Sequence, residues 1–145
     1  MEADTRSLES RLATGGKSNS LGEVSNIVVE VLNDPTRLPE LFECLFNHDE
    51  WIRMRAGDAL EKVCREQPGW FAPYRSRLLT DVAEIRQASV QWHLAQMLGE
   101  IRLTRAQRQT AIAILSANLA DPDVDWIVSA NSMKTLALFV RDGSF

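Results

Sequence analysis

The chain has 145 residues, room for one domain with its own core, and its 45% apolar and 25% charged residues are those of an ordinary globular protein. A net charge of −4 argues against nucleic acid as the main partner, because proteins that live on phosphate contacts carry a basic excess. No apolar run is long enough to span a membrane, and no signal peptide is expected; Cys44 and Cys64 lack CxxC spacing, so reduced thiols in a cytoplasmic protein are expected.

Residues 1–19 hold few large apolar groups, and the run Thr14-Gly15-Gly16-Lys17-Ser18-Asn19 cannot repay the entropy of ordering itself. A flexible segment is expected over 1–19, with a helical turn around 6–12, ahead of one repeat domain over 20–145. Gly16-Lys17-Ser18 resembles the end of a phosphate loop, but Arg11 stands where such a loop needs its first glycine, and no strand precedes it. The first clear helix is predicted to open at Ser20, where Ser20 and Glu23 form an S-x-x-E capping box. Val24, Ile27, Val28, Val31 and Leu32 give it one apolar face, and Asn33-Asp34-Pro35 ends it.

From there two kinds of helix alternate. First helices share the spacing 0, +3, +4, +7, +8 in Leu38, Leu41, Phe42, Leu45 and Phe46. The same spacing falls 37 residues on at Arg75, Leu78, Leu79, Val82 and Ala83, and again at Ile112, Leu115, Ser116, Leu119 and Ala120. Second helices share 0, +4, +7, +8, +11 in Ile52, Ala56, Ala59, Leu60 and Val63. That set recurs 38 residues on at Val90, Leu94, Met97, Leu98 and Ile101, and more weakly at Val128, Ser132, Thr135, Leu136 and Phe139. Short joints lie at 47–50, 84–88 and 121–125; Thr104 and Gln107 form a T-x-x-Q capping box. No segment alternates like a strand. Repeats at this interval mean stacked supersecondary units, each unable to bury its apolar face alone, so the fold class is all-α: about three helix pairs behind an N-terminal capping helix over 20–33.

The stretch Asp49-Glu50-Trp51-Ile52-Arg53-Met54-Arg55-Ala56-Gly57-Asp58-Ala59-Leu60 resembles the second-helix signature of HEAT repeats, with Asp49, Ile52, Arg53, Ala56, Ala59 and Leu60 in the signature places. The resemblance extends over about 38–140, and Gln91 and Ser129 replace Arg53 in the later units. It implies a right-handed α-α superhelix, a HEAT-like solenoid whose second helices line a concave binding surface. It also implies alternatives, since some relatives of this architecture excise damaged DNA bases and others attach bilin chromophores.

Chemistry is sparse. His48 and His93 lie in different units, with no companion ligands at metal spacing and none of the His-Glu dipeptides of HEAT-like metal hydroxylases. Ser89 and His93 are neighbours on one helix face, but no glycine elbow or orienting acid accompanies them. A non-catalytic protein-binding scaffold without cofactor or metal is the reading.

At 100° per residue, the face opposite the apolar set carries Met54, Asp58, Glu61 and Arg65 in the first unit, Trp92, Gln96, Gly99 and Leu103 in the second, and Ala130, Lys134, Ala137 and Arg141 in the third. Arg55, His93 and Asn131 flank it. The partner-binding candidates are therefore Met54, Arg55, Asp58, Trp92, His93, Gln96, Asn131 and Lys134, with Trp92 the most informative; its indole either meets a partner or wedges against Met54 or Met133 as inter-unit packing. Trp51 and Trp126 are expected to plug the intra-unit turns, and Trp70 to staple a link between units. The final helix, 126–140, is apolar over much of its circumference, so weak homo-association through it is expected, or else a fold-back of 141–145.

Overall fold

A computed structural model describes residues 6–14 and 22–143; all regular structure among them is helical. The α-helices are α1 (Leu8–Ala13), α2 (Val24–Asn33), α3 (Leu38–Glu43), α4 (Glu50–Glu66), α5 (Arg75–Leu79), α6 (Ala88–Glu100), α7 (Arg105–Ala120) and α8 (Trp126–Arg141). Short 3-10 turns follow α2, α3 and α5 at Pro35–Arg37, Cys44–Phe46 and Val82–Glu84, and a longer one, Pro68–Tyr74, precedes α5. The chain divides into two compact units, Met1–Val63 and Cys64–Phe145.

In the first unit, α1 occupies part of the stretch expected to be flexible. Ser7 caps it by accepting from Ser10 N at 3.0 Å, and Leu8, Arg11 and Leu12 are buried, with α1 packed against α3. The expected capping box falls partly outside the described residues, at Ser20. Its acid, Glu23, makes no cap bond, and α2 begins at Val24. Glu23 faces Arg6 and Arg11 instead, at 3.3 and 3.4 Å. Pro35 ends α2 as expected, with Asp34 accepting from Thr36 N at 3.2 Å. Leu38, Leu41, Phe42 and Leu45 are buried, whereas Phe46 is exposed and tilts against Phe42. Ile52, Ala56, Ala59, Leu60 and Val63 are all buried, as their spacing requires.

The second unit holds two helix pairs, α5 with α6 and α7 with α8. Like packs on like: α6 lies along α8, and α5 against α7. Val90, Leu94, Met97 and Leu98 are buried on α6, and Ile101 is buried just beyond it; Val128, Ser132, Thr135 and Phe139 are buried on α8. Burying a Leu, Ile or Phe side chain is worth roughly 1.5–3 kcal/mol, so these seams supply most of the cohesion. Thr104 and Gln107 form the expected reciprocal capping box at the start of α7.

Three expectations need correction. The face of α7 is not the shifted set: Ala111 and Leu115 are buried while Ser116, Leu119 and Ala120 are exposed, because α5 and α8 meet a different arc of this helix. Trp126 plugs no turn; Asp125 caps α8 through Ile127 N at 2.9 Å, and the indole points to solvent, opposite Val128, Thr135 and Phe139. Trp51 is likewise exposed, with Asp49 capping α4 through Trp51 N at 2.8 Å. A turn closed by an aspartate cap needs no aromatic plug.

Candidate functional site

The second helices of the first two pairs, α4 and α6, are each aligned by a polar side chain at the same repeat position. Arg53 Nη1 donates to Asn47 O, six residues back, at 2.8 Å. Gln91, which replaces it 38 residues on, donates through Nε2 to Ile85 O, also six residues back, and to Ala83 O at 3.3 Å. A long donor returning to the turn carbonyl holds the pair closed in both units, so the arginine can change without loss of the latch.

The helices so placed leave a narrow accessible strip. On α6, Ser89, Val90, Gln91, His93, Leu94, Ala95, Met97 and Leu98 are all buried, and Trp92, Gln96 and Gly99, at 0, +4 and +7, keep partial access to solvent. The indole of Trp92 is half-buried, with its ring centroid 5.6 Å from that of His93. Gln96 is half-buried, and its amide oxygen has no hydrogen-bond partner in the protein. Leu103, expected on the same face, is buried. On α8, Ala130, Lys134, Ala137 and Arg141 are all exposed. On the part of α4 in the first unit, Met54 and Asp58 are half-buried, Asp58 pairs with Lys62 at 2.5 Å, and Glu61 is buried rather than exposed; Arg65, beyond that unit, is exposed.

The flanking candidates are engaged internally. Arg55 is buried and donates to the Leu12 and Thr14 carbonyls at 2.7 and 3.1 Å, so it binds the C-terminal end of α1. A cation suits the orphan carbonyls of a helix C-terminus. His93 is buried with Nδ1 2.7 Å from Ser89 O, which makes Nδ1 the protonated nitrogen. The imidazole thus meets the backbone of Ser89, and the serine hydroxyl accepts from Gln87 at 3.3 Å, so the pair is not set for nucleophilic attack. Asn131 donates to Ile127 O at 2.9 Å on its own helix.

Spacing alone did not find two further features. An ion-pair network in the first unit joins Arg11 to Glu23 and Glu30, and Arg37 to Glu30 and Glu40 at 3.6 and 3.1 Å; Glu40 also accepts from Leu8 N at 2.6 Å. In the second unit an open cleft of about 470 Å³ is lined by Pro68, Ala72 and Ile101 with Arg75, Arg102 and Glu100 around them. Gly16-Lys17-Ser18 lies outside the described residues. Among the described residues no group of three or more His, Cys, Asp or Glu side chains is arranged to hold a metal ion, and no helix is long and apolar enough to cross a membrane.

No curated protein and no solved structure matches the chain. The family model described as a HEAT repeat domain matches residues 11–135, a span that runs from the second half of α1 into α8. With paired helices, like packed on like, and a latch repeated at a 38-residue interval, the chain belongs to the HEAT repeat family.

Proposed function

We propose that this HEAT repeat chain is a non-catalytic scaffold that captures a protein partner on the accessible strip of its second helices. HEAT repeats commonly mediate protein interactions, and the observation that carries the reading here is Trp92. On a helix buried around nearly all of its circumference, the largest side chain with solvent access is an indole, the residue type most enriched at the centre of interfaces. Lys134, one repeat on from Gln96, offers an exposed cation. A partner that supplies an apolar anchor and a carboxylate fits this strip. Met54 and Asp58 hold the equivalent repeat positions on α4, in the first unit. The same reading places the protein in the cytoplasm, where two buried free thiols stay reduced.

The test is capture from a lysate of the native cell with the full chain and with Trp92→Ala. Loss of the partner with helical content and melting temperature unchanged supports the reading. A fall of several degrees in melting temperature assigns the indole to packing, and retention of DNA that fades with salt replaces the protein partner with nucleic acid.

A further inference from the structure

The outward face of α8 is unusually regular. Trp126, Ala130, Met133, Ala137 and Val140 are all exposed, the three large ones at 75, 58 and 59%. Their spacing of 4, 3, 4 and 3 is the apolar repeat of a helix that pairs with another helix. This seam lies opposite the buried Val128, Ser132, Thr135 and Phe139, so packing within the unit does not account for it.

We propose that a second copy of this chain docks on the seam, with the two α8 helices antiparallel about a two-fold axis at Met133. The pattern is self-complementary in that arrangement. Trp126 meets Val140 of the second copy, Met133 meets itself, and Ala130 and Ala137 fall within one residue of each other. Each bulky layer is flanked by an alanine layer, which lets the helices approach closely while thioether and indole fill the remaining space.

Charge selects the same orientation. The approach to α8 carries exposed Asp121, Asp123 and Asp125, and its far end carries exposed Arg141 followed by exposed Asp142. Antiparallel pairing sets the three acids against this neutral pair at both ends, by symmetry twice over, whereas parallel pairing sets three acids against three. A 16-residue helix is about 24 Å long. One such contact falls short of the roughly 1,600 Å² of a standard interface, so the dimer is weak, with a dissociation constant on the order of 10–100 μM. The seam shares Ala130, Ala137 and Arg141 with the partner strip but not Trp92, so Trp92→Ala, which leaves the seam intact, tells the failure of one reading from that of the other.

Sedimentation of the full chain from about 5 μM to about 500 μM brackets that range. The weight-average mass is expected to rise toward twice the monomer, Met133→Glu to stay monomeric with an unchanged far-ultraviolet spectrum, and Arg141→Glu to weaken association several-fold at low salt. Under mild oxidation, Trp126→Cys mixed with Val140→Cys is expected to cross-link, and neither alone to do so. A strict monomer at the highest concentration, a dimer that survives Met133→Glu, or self-linking of Trp126→Cys each overturns the proposal.

Discussion

Arg55 shows how far a side chain's role can depart from its place in a repeat. Its position on α4 marks it for the partner-facing flank, yet the guanidinium is buried against the last carbonyls of α1. A methionine there fills similar volume but leaves both carbonyls without their charged donor, so Arg55→Met is expected to cost about 2 kcal/mol in urea unfolding. Hydrogen exchange should quicken first in α1, and Arg55→Lys should recover part of the loss. The network of Arg11, Glu23, Glu30, Arg37 and Glu40 was equally hidden in the sequence, because partners as far apart as Arg11 and Glu30 follow no helical period. Cys44 is a second residue whose chemistry is set by its surroundings: burial, then Glu40, Glu9 and Glu43, push its thiol up to about 11 from an ordinary value of 9.0. The folded chain therefore keeps a proton that the unfolded chain gives up. On this account stability is level below about pH 9 and falls between about 9 and about 11. Denaturation midpoints across that window should fall less steeply for Cys44→Ala than for the parent.

Among the elements, the second helices were legible and the first helices only in part. The second helices repeat one buried pattern, and the capping box at Thr104 and Gln107 marks a start that a local hydrogen bond alone can fix. The first helices of the earlier pairs read as continuous, but α3 ends at Glu43 and α5 at Leu79, each passing into a 3-10 turn. Spacing at i and i+3 suits both geometries, so apolar pattern cannot tell them apart. Close approach of α6 to α8 was also invisible. A Cβ on Gly99 would lie 3.1 and 3.2 Å from the Thr135 side chain and 3.3 Å from Leu138. Thr135 cannot swing aside, because its hydroxyl donates to Ala95 O at 2.7 Å. Gly99→Ala is therefore expected to destabilise by about 1 kcal/mol, the overpacking penalty exceeding the gain in helix propensity. Thermal melts of the double-mutant cycle with Thr135→Ser should show coupling, since serine removes the methyl at 3.2 Å and keeps the donor.

For the molecule as a whole, the repeat was readable because burial recurs at one interval: Ile52, Val90 and Val128 are all core residues of their helices. The candidate site was readable as a strip but not as a set of side chains. Helical phase identified Trp92, Gln96 and Lys134 as accessible, while Arg55 and His93 were drawn inward by carbonyls that no spacing rule reveals. Trp51 and Trp126 misled for a simpler reason: tryptophan is buried on average, and that average says little about a helix start already capped by aspartate.

The joint at 121–125 differs from its two counterparts in lacking a long donor at the latch position, since the hydroxyl of Ser129 is too short to span it. It is closed locally, with Asp121 accepting from Asp123 N at 2.9 Å and Asp125 capping α8, and Asp121, Pro122, Asp123 and Asp125 are all exposed. Extra residues spliced in after Pro122 would displace nothing buried and would emerge beside the start of α8. This elbow is a place where the chain can grow a new loop at little cost to its folding.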